Sequence, residues 1–165
     1  MNNETHVKLM CGLGLVITRF NTLEFYMQTV LSSLLTRHQD IGHMTTSLLS
    51  FGKSIQLFDA ICRRKIKNPE LVKELEALCK KLNKAEGERN KLLHSHYLAS
   101  MDPTGFTRHK TNLSGNFPVH EMKPEELFEL AKSFEQHYEE FVAFYQKVHE
   151  AAIVQKVLPH EAFDI

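Results

Sequence analysis

Residues 5–37 read THVKLMCGLGLVITRFNTLEFYMQTVLSSLLTR. Within this stretch Leu9, Leu13, Val16, Phe20, Leu23, Met27, Val30 and Leu34 follow one another at alternating steps of four and three. An α-helix turns once in ~3.6 residues, so this spacing sets all of them on one stripe of a continuous amphipathic helix. At ~1.5 Å per residue such a helix is about 50 Å long. The apolar run at residues 9–17, following Lys8, resembles the apolar core of a secretory signal. It carries no small-residue cleavage site and its periodicity runs on, so it reads as helix. A stripe this long has to be covered, by the rest of the chain or by a second copy.

The same period recurs further along the chain. Residues 38–43, with Asp40 and Gly42, read as a loop. A second helix over 45–64 places Leu48, Phe51, Ile55, Phe58 and Cys62 on its apolar face. Asn68-Pro69-Glu70 is a helix start: Asn caps, Pro fits the first turn, and the acid sits at the positive end of the dipole. The third helix, drawn over 69–97, buries Leu71, Leu75, Leu78, Leu82 and Ala85. The helical period vanishes over 102–122. There Asp102-Pro103-Thr104-Gly105 marks a turn, and 96–101 and 106–111 flank it as a short hairpin. Lys123-Pro124-Glu125-Glu126 opens a fourth helix, 124–157, with Leu127, Leu130, Phe134, Tyr138, Phe141, Tyr145 and Val148 on one face. The expectation is a single all-α domain over 1–165. It is a bundle of four long helices, with a short irregular or β-hairpin insertion between helices three and four.

Composition narrows the function classes. The chain has 165 residues, enough for a core without metals or disulfides. With 7 Gly and 5 Pro, turn-rich β folds and disorder are disfavoured. Cys11, Cys62 and Cys79 are too scattered for a disulfide framework or a structural zinc site, and read as small buried hydrophobes in a reducing compartment. No apolar run reaches the ~20 residues of a membrane span. The expected location is the cytoplasm, with no membrane partner and no cofactor.

The stretch that carries chemistry is Glu88-Arg89-Asn90-Lys91-Leu92-Leu93-His94-Ser95-His96-Tyr97. It resembles the HEPN superfamily, whose ribonucleases carry Arg, four to six residues, then His near a helix end, commonly as R-N-x-x-x-H. Here that pattern is Arg89, Asn90 and His94. The loose spacing alone arises about once by chance in a chain of this composition, and Arg37 with His43 is such a match. That match ends in the loop and lacks the Asn. The resemblance covers the motif and the helical layout. It implies a helical bundle, a homodimer with a composite site, RNA as substrate and a 2′,3′-cyclic phosphate product. Some members are toxins, which implies an antitoxin partner. In those toxins a Tyr lies two residues after the His, whereas Tyr97 lies three after His94 and one after His96.

The residue types suit this reaction. RNA carries its own nucleophile, the 2′-OH, beside the scissile phosphate, so no metal is required. Histidine can transfer the protons near neutral pH, and the arginine fork can hold phosphate oxygens. Asn90 can orient Arg89 or a phosphate. One His cannot readily be acid and base in one turnover, and two motifs brought together by a two-fold axis would supply both. On a helix continuing to 97, Arg89 and His96 share a face within about 20°, whereas Arg89 and His94 lie about 140° apart. His94 is the choice on pattern and His96 the alternative on geometry. Glu24, between Leu23 and Phe25, is either a solvated edge residue or a partner orienting Arg89. His-Ser-His at 94–96 has the wrong spacing for a helical metal pair.

Net charge is zero, 20 basic against 20 acidic residues, but the charges are segregated. Residues 61–110 hold twelve basic and six acidic residues, and 121–150 hold three basic and eight acidic. RNA contact is therefore expected over 89–110, with Lys91, Arg108 and Lys110 as phosphate holders. The other reading is a HEPN-like module without catalysis, serving dimerisation or nucleotide binding, in which Arg89, Asn90 and His94 only satisfy a helix end.

Overall fold

The computed structural model describes residues 3–100, 104–109 and 118–154. Of these, 80% are helical. The order is α1 (Asn3–Leu35), α2 (Gln39–Ser47), α3 (Phe51–Lys65), α4 (Pro69–Leu93), β1 (His96–Ala99), β2 (Phe106–His109), β3 (Val119–Met122) and α5 (Pro124–Val154). The strands form one antiparallel sheet in the order β1-β2-β3. The long stripe of α1 is buried as its spacing predicts, with Leu13 alone half-exposed.

Five helices and a three-stranded sheet replace the expected four helices with a hairpin. The expected loop at 38–43 lies mostly in α2. Gly42 makes this helix possible, because a Cβ there would collide with the Ser32 side chain of α1. Ser32 Oγ donates to the Gln39 carbonyl (3.3 Å), and buried Thr46 returns its hydroxyl to the Gly42 carbonyl (3.0 Å). The second helix accordingly starts later, at Phe51, with Ser50 Oγ accepting from Lys53 N–H. Leu48 falls between the two helices and is 86% exposed, against the expectation that it is core. Cys11 is likewise exposed, on the outer side of α1.

Helix α4 begins as read: Glu70 N–H donates to Asn68 Oδ1 (2.9 Å), with Pro69 in the first turn. It ends at Leu93, not 97, because the chain turns into β1. The hairpin is present, and β3 adds an unexpected third strand. Of the turn sequence, Asp102 and Pro103 lie outside the described residues. The end of the fourth helix, 155–157, also lies outside them. α5 starts at Pro124 even though Lys123 is a poor cap. Glu126 reaches back to accept from Lys123 N–H (2.9 Å), the reciprocal half of a capping box.

Two compact units divide the chain. One comprises 1–21 and 85–135, the other 22–84 and 136–165. In the first, Phe20 stands edge-on to Phe134 with centroids 5.5 Å apart. A Cβ on Gly12 would lie 2.8 Å from Leu127 Cβ, so only glycine lets α1 approach α5 this closely. In the second, Phe58 and Tyr26 both stand edge-on to Phe141, at 5.1 and 5.3 Å. Each such aromatic pair contributes about 0.5–1.5 kcal/mol beyond its buried area. Two ion pairs, Lys81 with Glu140 (2.8 Å) and Lys147 with Glu74 (2.7 Å), strap the α4 and α5 segments of this unit. They border a groove of about 270 Å³ floored by Leu78 and Phe144.

Candidate active site

The motif lies wholly in the first unit, on the last turns of α4 and the chain just beyond. Ala85 and Leu92 are buried and anchor the helix, which leaves Arg89, Asn90 and Lys91 on its more open sides. Arg89 is half-buried. Its Cζ sits 5.1 Å from the centre of the Phe20 ring, and Nη1 donates to Asn90 Oδ1 (2.9 Å). A guanidinium seated over an aromatic ring and tied at one nitrogen is restricted in rotation. Asn90 therefore orients Arg89, one of the two roles the sequence allows it. Lys91 pairs with Glu88 one turn earlier (2.8 Å) and is exposed.

His94 is the first residue beyond the helix. Its backbone N–H donates to the Asn90 carbonyl (3.2 Å), which fixes its position relative to the motif, and its side chain is exposed. Ser95 Oγ closes on the Lys91 carbonyl, and Ser95 N–H on the Leu92 carbonyl (3.3 Å). These bonds finish the helix and release the chain into β1. His96 thus stands on a strand. The helical phase that aligned it with Arg89 does not apply, because the helix stops three residues earlier.

Tyr97 OH donates to the Leu92 carbonyl (2.8 Å), and its ring packs 5.7 Å from the fully buried Phe106. Burial pushes its hydroxyl above the ordinary tyrosine value, opposed by the nearby Arg108 charge. Tyr97 therefore acts as the bolt between helix end and sheet. Arg108, opposite Tyr97 on β2, is half-buried, and its Nε is enclosed with no hydrogen-bond partner. An enclosed guanidinium N–H without an acceptor is costly. Lys110 lies outside the described residues. Glu24 belongs to the second unit, where it is half-buried.

The structure thus joins Arg89 to Asn90 and seats Arg89 on Phe20, a residue the periodicity marks only as core. It also sets His109 beside His96 on the sheet, with Thr107 next to it. The signal for that was the alternation at 96, 98 and 107, 109, which a hairpin register would have converted into neighbours. Among the described residues, no group of three or more His, Cys, Asp or Glu is placed to hold a metal ion, and no helix is long and apolar enough to cross a membrane.

No family model, curated protein or solved structure matches this chain.

Proposed function

We propose that the protein is a metal-independent endoribonuclease of HEPN type. The observation that carries this reading is the pinned guanidinium: Arg89 lies over Phe20 and is tied to Asn90, one turn before the exposed His94. In the reaction the 2′-OH attacks the adjacent phosphorus and the 5′-oxygen leaves, giving a 2′,3′-cyclic phosphate. Arg89 stabilises charge on the phosphorane, His94 transfers a proton, and Asn90 holds Arg89 in register. Arg108 and Lys91 hold flanking phosphates.

A second copy completes the site in this reading. One side of α1 supports it: Val7, Met10, Gly14 and Ile17 form an exposed row roughly 110° around the helix from the buried stripe, with Met10 48% and Val7 52% exposed. The reading carries with it a cytoplasmic location and, if the ribonuclease is a toxin or defence effector, an antitoxin protein partner.

Cleavage of a broad RNA panel in EDTA tests it. Wild type should cut and leave cyclic phosphate ends, and Arg89→Ala and His94→Ala should each lose at least a hundredfold in rate. Cleavage that survives both substitutions sinks the site. A wild type that cuts nothing favours the second reading, a non-catalytic dimerisation or nucleotide-binding module. The specific observation on that side is that Arg89 already has partners in its own chain.

A further inference from the structure

β1 and β2 pair with His96 directly opposite His109, Tyr97 opposite Arg108, and Leu98 opposite Thr107. Side chains alternate along a strand, so His96, His109, Leu98 and Thr107 occupy one face of the sheet. Tyr97 and Phe106, which touch each other, occupy the other. The first face is the open one: His96 is exposed, and Leu98 is 57% and Val119 53% exposed. Two imidazoles therefore stand side by side on an open surface of a single chain, on Cβ atoms roughly 4.5–5.5 Å apart. The first of them lies two residues beyond His94.

We propose that His96 and His109 form the acid–base pair for RNA cleavage within one chain, so that the proton transfers need no second copy. The proposal rests on the ribonuclease reading above and changes it at one point: the proton transfers pass from His94 and a second copy to this pair, and His94 is left to contact the phosphate beside Arg89. The proposal takes the tautomer in which the Thr107 hydroxyl donates to the Leu98 carbonyl (3.4 Å) and its oxygen accepts from His109 Nε2–H (3.0 Å). Neutral His109 then has its lone pair on Nδ1, the form of a general base. His109 Nδ1 takes the proton from the 2′-OH as the O2′–P bond forms. His96, as imidazolium, gives a proton to the 5′-oxygen as the P–O5′ bond breaks. After one turnover the two rings have exchanged protonation states, and water resets them.

Among the described residues, the other titratable group of the strands on this face is Glu121, opposite Thr107 and one step along the face from His109. Arg108 and His120 alternate to the far face with Tyr97. Thr107 is a positioning residue: it fixes the tautomer and the ring of His109.

The test is the pH–rate profile in EDTA, with NMR titration of the histidine ring protons in parallel. Wild type should give a bell-shaped profile. His96→Ala and His109→Ala should each lower cleavage at least a hundredfold and remove one limb of the bell. Thr107→Val should lower kcat more than it raises KM, and Thr107→Ser should restore it. A 2′-deoxy oligonucleotide, which binds but cannot be cut, should shift the ring signals of both histidines together. The His96 and His109 variants should melt within a few degrees of wild type, since neither residue is in the core. Full activity and an unchanged bell in His109→Gln overturn the pair while leaving the Arg89 and His94 site standing. A wild type that cuts no RNA overturns the ribonuclease reading itself and the pair with it. Cleavage that returns only with added Zn²⁺ overturns the pair in favour of a two-histidine metal site.

Discussion

Phe20 does two jobs that a single substitution can separate. Its edge meets Phe134, and its face carries the Arg89 guanidinium. Phe20→Leu removes both contacts and should lower stability by about 1–3 kcal/mol in urea unfolding. Phe134→Leu removes only the ring pair. Rates per folded molecule should therefore fall for Phe20→Leu and hold for Phe134→Leu; equal rates would show that the seat of Arg89 has no part in cleavage. The cysteines offer a second residue-level check. Burial pushes the Cys62 and Cys79 thiols up to about 12, while Cys11 lies on the surface. Only the thiolate reacts, so one thiol should titrate with a disulfide reagent in the native protein at pH 8 and three in urea.

At the scale of elements, the glycines decide how closely helices approach. Gly42→Ala forces a methyl group into Ser32 and should destabilise by about 1–3 kcal/mol. Gly14 has nothing within 4 Å of a Cβ, so Gly14→Ala should raise the melting temperature, worth about 0.5–1 kcal/mol of helix propensity. Thermal unfolding of the two variants reads out the opposite signs. The same residues mark what could be read from sequence. The 3.6 period of α1, the Asn68-Pro69 start and the buried Phe134 and Phe141 follow from local rules. Helix α2 does not. Gly42 and Asp40 look like loop residues until Ser32, distant in sequence, turns a glycine into a packing requirement. The end of α4 was ambiguous for a related reason, since Ser95 and Tyr97 end it through bonds to Lys91 and Leu92 that helical phase does not encode. The motif was legible as Arg89, Asn90 and His94, but the pairing of His96 with His109 depends on strand register, which one sequence does not fix.

For the molecule as a whole, the segregated charge and the outward row of α1 bear on assembly. If the row covers a second copy, the protein should sediment as a dimer at micromolar concentration, and Ile17→Glu should shift it to monomer. Cleavage that persists in that monomer would favour proton transfer within one chain, whereas loss of cleavage would require the composite site. If RNA is the substrate, only a few phosphates can be neutralised by the basic segment, so affinity should depend on salt with a shallow slope, about 0.7 per phosphate contacted on a single strand.

The division into units has a consequence for synthesis. The unit that contains the motif is assembled from residues 1–21 and 85–135, with 22–84 between them. The first 21 residues leave the ribosome early, yet their partners in that unit are the last to complete it. At ~5–20 residues per second, the buried side of early α1 waits roughly 6–23 s for residue 135 to be made. During that interval Leu9, Val16 and Phe20 have no native cover from their own unit. Those side chains stay open to solvent or to a chaperone over this window, and the Phe20 seat for Arg89 cannot form before residue 89 has been added.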